Sequence, residues 1–286
     1  MLTALGKILS QRPAEHPIFI VGGSRSGTIV LLKALGEHPD ILSTPSENPF
    51  ITDIGRMAYD LAFANERDTH YYNRTLRIPH EHIYATLRRL AWESSLGPNY
   101  GLGYLLKQSV AQRKLLPAKR RWCTKSFPGK NTALGLQALY PNARFIWILR
   151  NGLHVVQSRT KFPEFRSLEF REHCERWAES IRRFSYLVDL PTATVVHQED
   201  LTEDPDAVFR RIFTLVELPY HPGPTQYALH NHVHPLDDEK IRQGVNVRET
   251  LRQRPPPYIT WSAEQKDLFK TICAGAMAKA GYEIPF

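Results

Sequence analysis

Residues 17–40, PIFIVGGSRSGTIVLLKALGEHPD, open on a short apolar run ended by two glycines and continue into a segment of helical spacing. The run 17–23 predicts a buried strand. After it, Leu31, Leu32 and Leu35 share one helical face, and Gly36 and Pro39 stop the helix. Between strand and helix lies Gly22-Gly23-Ser24-Arg25-Ser26-Gly27-Thr28-Ile29. Gly22 and Gly27 have the glycine spacing of the phosphate-binding loop GxxxxGK[ST], in which backbone N–H groups converge on an anion at a helix N-terminus. Thr28 stands where that motif has its lysine, and Ile29 where it has the magnesium-binding hydroxyl. The cradle remains, with Arg25, Ser26 and Thr28 as extra donors, while the grip on a γ-phosphate and Mg²⁺ is missing. An ATPase or GTPase is therefore disfavoured.

Outward from this unit, apolar runs and helical patterns alternate. Strands are predicted at 41–45, 121–126, 143–150 and 193–200, and helices at 131–141, from Gly152, over 166–188, from Pro205 and over 262–280. Residues 48–116 are mostly helical in pattern, broken by Pro79 and GPNYGLG; 219–236 and 252–258 read as irregular loops, and residues 2–9 as a surface helix. Alternating strands and helices imply βαβ crossovers and a parallel sheet covered on both faces. The expected fold is α/β: a P-loop-like three-layer domain, one domain over residues 1–286, with a helical insert at about 48–120.

The chain has 286 residues, a net charge of +8 and three cysteines, Cys123, Cys174 and Cys273. A chain this long builds a core without disulfides or a structural metal. The cysteines are far apart and show no ligand spacing, so they read as reduced, buried thiols of a cytoplasmic protein, and no metal is expected. No apolar run approaches a membrane span, and no nucleic-acid motif accompanies the scattered basic residues. The positive balance suits a cleft for an anionic small molecule.

A second motif sits in FIWILRNGLHVVQSR, residues 145–159, where a buried strand runs into Arg150, turns at Asn151–Gly152 and enters a helix carrying Ser158. An arginine at the carboxyl end of a parallel strand points into the crevice where such sheets bind ligands. Ser158 lies eight residues on, about 12 Å along a helix axis, so both reach one phosphate only if the turn folds the chain back.

Together the two motifs resemble the PAPS-dependent sulfotransferases (PAPS is 3′-phosphoadenosine-5′-phosphosulfate), in particular the carbohydrate, tyrosylprotein and bacterial branches. The resemblance continues through HPDILSTPSENPF (38–50), WCTKSFPGK (122–130), LYPNARFIWILRN and VHQEDLTEDPDAVFRRIF. It implies that Gly23, Ser24, Arg25, Ser26, Gly27, Thr28 and Ile29 hold the 5′-phosphosulfate, and that Arg150 and Ser158 hold the 3′-phosphate. Ile29 departs from the family's hydroxyl residue, and Asn151 from its acidic one.

The resemblance further implies sulfuryl transfer from PAPS to a hydroxyl or amine, releasing 3′,5′-ADP without a metal. Glu47 is then the base, with Lys125 and Arg25 neutralising the leaving group. A helix-start role competes for Glu47, and His80 or His82 competes as base. Glu199 and Asp200 read as structural, since adjacent side chains point apart. Trp177 reads as core or pocket wall, and His230, His232 and His234 as a solvated loop. Arg248, Arg252 and Arg254 fall where relatives return a late loop to the nucleotide. The acceptor, a small molecule, glycan or lipid, is not encoded. A phosphoryl-transfer enzyme with a degenerate loop and a non-catalytic nucleotide-binding protein are the alternatives.

Overall fold

The computed structural model describes residues 16–63, 78–96, 121–230 and 255–286. Five strands, β1 (Pro17–Val21), β2 (Ile41–Glu47), β3 (Arg121–Lys125), β4 (Arg144–Leu149) and β5 (Ala193–His197), form one sheet in the order β2-β3-β1-β4-β5. Every pairing is parallel. The helices are α1 (Thr28–Gly36), α2 (Phe50–Phe63), α3 (His80–Leu96), α4 (Lys130–Leu139), α5 (Gly152–Lys161), α6 (Phe170–Phe184), α7 (Gln198–Glu203), α8 (Pro205–Leu215), α9 (Pro222–His230) and α10 (Ala263–Lys279). None of the described helices is long and apolar enough to cross a membrane.

The pleat divides the core in two, because successive strand residues face opposite sides. Phe19 and Val21 of β1 join Trp122, Phe145 and Trp147 in a cluster covered by α2, α4, α6 and α10. Ile18 and Ile20 join Cys123, Ile146 and Ile148 in a second cluster covered by α1 and α8. All five residues of β1 are buried, and a buried Ile, Phe or Val side chain is worth about 1.5–3 kcal/mol. The central strand thus anchors both layers, as the apolar run 17–23 predicts. All three cysteines are free and buried.

Some boundaries differ from expectation. The strand expected over 193–200 ends at His197, and Gln198 opens α7; Glu199 and Asp200 in its first turn suit the positive end of the helix. The loop expected over 219–236 contains α9, whose proline at its first position is compatible with helix geometry. Its buried Pro224, Thr225 and Ala228 provide the packing face. His230 is therefore the last residue of a helix and not part of a loop, with Nδ1 bonded to the Gln226 carbonyl at 2.7 Å. The helix expected over 166–188 is shortened at its start by a Glu169–Glu172 capping box and at its end by a 3₁₀ turn, Ser185–Asp189. Within 48–120, α2 and α3 bear out the helical pattern. His232, His234, Arg248, Arg252, Arg254 and the segment 2–9 lie outside the described residues.

Helices α2 and α4 approach so closely that a Cβ on Gly135 would lie 2.0 Å from the Gly55 carbonyl oxygen. The obstacle is backbone, which has no rotamer to give way. Overpacking costs about 1–3 kcal/mol, at about 2–4 °C of Tm per kcal/mol for a large domain. Gly135→Ala is expected to lower the melting temperature accordingly in a thermal melt. An unchanged melt would mean that the two helices are not in contact there.

Candidate active site

The order of strands places the two sequence motifs side by side. Strands β1 and β4 are neighbours, with Val21 opposite Trp147. From β1 the chain continues toward β2 at one edge, and from β4 toward β5 at the other. Such a switch point opens a crevice at the carboxyl ends of the strands. The Gly22–Ile29 loop and the Arg150 turn both leave the sheet there.

Within the loop, Arg25 and Gly27 take positive φ, 71° and 88°. Gly27 accepts this readily, while Arg25 does so at a cost of about 1–2 kcal/mol. Three contacts hold Arg25 in place. Its Nε–H donates to Ser158 Oγ at 3.1 Å, its carbonyl accepts from Arg150 Nη1 at 3.1 Å, and its guanidinium lies 4.4 Å from the Phe162 ring centre. Burial lowers the Arg25 pKa from its ordinary value, partly offset by Glu164. Ser26 and Thr28 are buried, whereas Ile29 is 37 % exposed. No side chain caps the N-terminus of α1, so the positive end of this helix carries no side-chain acceptor.

Arg150 and Ser158 are brought together through Arg25, which bonds to both. The turn between them is fixed from several sides. Asn151 Oδ1 caps α5 by accepting from Leu153 N–H at 2.9 Å, the work an aspartate would do at this position. Glu199, structural as expected, accepts Asn151 N–H at 3.0 Å and the Tyr282 hydroxyl at 2.8 Å. Tyr282 also lies 2.9 Å from His197 Nδ1, and Trp177 Nε1–H donates to the Arg150 carbonyl at 3.3 Å. Trp177 is therefore core, packed beneath the turn. Burial, and then the charge of Glu199, raise the Tyr282 pKa well above that of an ordinary phenol.

Glu47 and Lys125 end two adjacent strands, pair across them after a register shift between Ser43 and Glu47, and form an ion pair, Nζ to Oε2 3.0 Å. Lys125 is 8 % exposed and packs 4.7 Å from the Phe127 ring centre. It aligns with Ile20 of β1, at the same sheet edge as the loop. Glu47 does not start α2: Asn48 does, accepting Phe50 N–H on its side chain at 3.1 Å. Asn48 also donates to Ser94 and Ser95 at the far end of α3. His80 and His82 occupy the near end, about 20 Å along the axis from those serines at 1.5 Å per residue, and so are remote from Glu47.

Sequence reasoning missed Arg159. Only 5 % exposed, it donates from Nη1 to Ser24 Oγ and from Nε to His173 Nδ1 at 3.4 Å, and lies 4.4 Å from the Phe165 ring centre. Burial, followed by repulsion from Arg176, lowers its pKa to about 10. The available signal was a second arginine directly after Ser158 on a helix leaving the anion crevice.

A loop and an arginine-bearing turn at the switch point of a parallel sheet define a nucleotide-binding α/β protein. Residues 17–222, more than half of the chain, match the model of the sulfotransferase family. The chain belongs to that family, the PAPS-dependent sulfotransferases. Among solved structures, the sulfotransferase domain of the Synechococcus PCC 7002 olefin synthase is 18% identical over 95% of this chain and 97% of that one, TM-score 0.50. The sulfotransferase domain from the curacin biosynthetic pathway is 16% identical over 94% and 99%, TM-score 0.51. Mouse sulfotransferase SULT7A1, solved with PAP, is 14% identical over 98% and 93%, TM-score 0.51. At these identities the likeness shows a shared fold. No curated protein matches the sequence.

His173 is 1 % exposed, and burial, followed by the charge of Arg159, lowers its pKa below the ordinary value. Its Nδ1 accepts from Arg159, which requires that nitrogen to be unprotonated. A depressed folded-state pKa means stability present above the unfolded pKa of about 6.5 and lost as pH falls through the folded value. Wild-type protein is therefore expected to lose stability below about pH 6.5 more steeply than His173→Gln, which keeps an acceptor but takes no proton. Parallel denaturation curves of the two from pH 7 to 5 would contradict this.

Proposed function

We propose that this chain moves the sulfuryl group of PAPS to a hydroxyl or amine of a small acceptor by in-line displacement, with Glu47 as general base. The observation that carries the reading is the Glu47–Lys125 ion pair at the sheet edge where the phosphate loop and Arg150 also emerge. The donor fits that edge: the uncapped N-terminus of α1 offers N–H groups to the 5′-phosphosulfate. Residues Gly23 to Ile29 line this end, and Arg150 and Ser158 take the 3′-phosphate. PAP in mouse SULT7A1, which shares the fold, supports the same ligand class here.

In the reaction the acceptor oxygen or nitrogen forms a bond to sulfur as the bond from sulfur to the bridging oxygen breaks. The acceptor proton passes to Glu47. The electron pair stays on the 5′-phosphate of 3′,5′-ADP, where Lys125 and Arg25 offset the developing charge. Fixed cations aimed at charge that grows in the transition state are the larger electrostatic contribution, and the base adds about 10²–10⁴-fold. Phe50, 40 % exposed three residues after Glu47, supports an acceptor pocket with an apolar wall built from α2. We read residues 1–286 as one domain with 48–120 contributing to that pocket, and three free buried thiols support a cytoplasmic setting.

A ligand bound by the folded state alone raises its melting temperature by mass action. 3′,5′-ADP is expected to protect more than ADP or ATP, with or without Mg²⁺. Stronger protection by ATP with Mg²⁺ would favour phosphoryl transfer instead.

Glu47→Gln is expected to cut turnover by about 10²–10⁴-fold at saturating PAPS while nucleotide affinity stays near wild type. The acid limb of the pH–rate profile should vanish in this variant and persist in Lys125→Ala. A wild-type rate in Glu47→Gln, with an acceptor found by screening with labelled PAPS, would remove Glu47 from the mechanism.

A further inference from the structure

Two Ser-Arg dipeptides, 24–25 in the loop and 158–159 on α5, exchange hydrogen bonds crosswise. Arg25 donates to Ser158 Oγ at 3.1 Å, and Arg159 donates to Ser24 Oγ. Both guanidinium groups also stack on aromatic rings of the same turn, Phe162 and Phe165. Among the described residues no carboxylate lies within ion-pair distance of Arg159. Its other bonded neighbour, His173, is an uncharged acceptor. A charge this deeply buried without a counter-ion is costly. The cost is recovered when an anion docks beside it.

The crosswise bonds also fix the direction of both hydroxyls. A serine oxygen that accepts from a guanidinium keeps its own O–H free to donate. Among the described residues neither Ser24 nor Ser158 has an acceptor for that proton. Each O–H therefore remains available to a ligand, strengthened by the cation behind it.

We propose that Arg159 is a positioning residue for the donor nucleotide: it turns the Ser24 hydroxyl into a charge-assisted donor for the 5′-phosphate end, as Arg25 does with Ser158 for the 3′ end. This rests on the nucleotide-site reading above. It extends that site by Arg159, to which the reading of the two motifs assigned no role, and gives the loop serine a defined direction.

The test is calorimetric binding of 3′,5′-ADP and 5′-AMP to wild type, Ser24→Ala, Arg159→Met, the double variant and Arg150→Ala. Methionine keeps the packing on Phe165 and removes every donor. Arg159→Met is expected to weaken both nucleotides about tenfold or more, leaving the ratio of the two affinities as in wild type. Arg150→Ala is expected to collapse that ratio, because only one ligand has the 3′-phosphate. The double variant should bind no worse than Ser24→Ala alone, since the arginine acts through the serine. Wild-type affinity in a folded Arg159→Met protein, or additive losses in the double variant, would overturn the proposal. If Arg159→Met does not fold, Ser24→Ala decides: undiminished affinity refutes the role, and a loss shared equally by both nucleotides supports it. If wild type binds neither nucleotide, the nucleotide-site reading itself fails, and this inference with it.

Discussion

The joining of loop and turn at the crevice depends on one residue held in a backbone conformation it does not favour. Arg25 sits in the left-handed region, and the bonds it makes to Ser158 and receives from Arg150 tie the loop after β1 to the turn and helix after β4. The loop has positive-φ residues and no side-chain cap on its helix, and the turn relies on Glu199, Tyr282 and Trp177 for its bonds. These bonds join segments far apart in sequence.

The second half of the site is organised by the sheet itself. Strand pairing, through a register shift in β2 between Ser43 and Glu47, places Glu47 against Lys125, and Lys125 against Ile20, so this ion pair lies at the end of the sheet where the loop after β1 leaves. Strands lie about 4.8 Å apart, which spaces the carboxylate from the loop by two strand intervals. Helix α2 begins at Phe50, three residues beyond Glu47.

Legibility in the sequence varied with the range of the interaction. The loop, the Arg150 turn and the apolar strands could be read because local spacing carries them: glycines five apart, an arginine ending a strand, and alternating elements. Glu47 could be read as either a base or a helix start, and the structure gives the helix start to Asn48, which caps α2. The proline-rich start of α9 and the polar end of β5 misled, because Pro222 at a helix start and acidic residues in a first turn belong to helices as readily as to loops or strands. Arg159 escaped notice because its role is defined by a contact 135 residues away.

By itself, then, the sequence determined the parallel α/β class, the glycine loop between β1 and α1, and the family, since these rest on hydrophobic periodicity and on glycine geometry that act over a few residues. Only the tertiary structure decided which cations meet at the crevice. Ser24-Arg25 and Ser158-Arg159 bond crosswise because β1 and β4 are neighbours in the sheet, and Lys125 meets Glu47 because β3 lies beside β2. Strand order is set by how whole layers bury their apolar faces, and no local pattern records it.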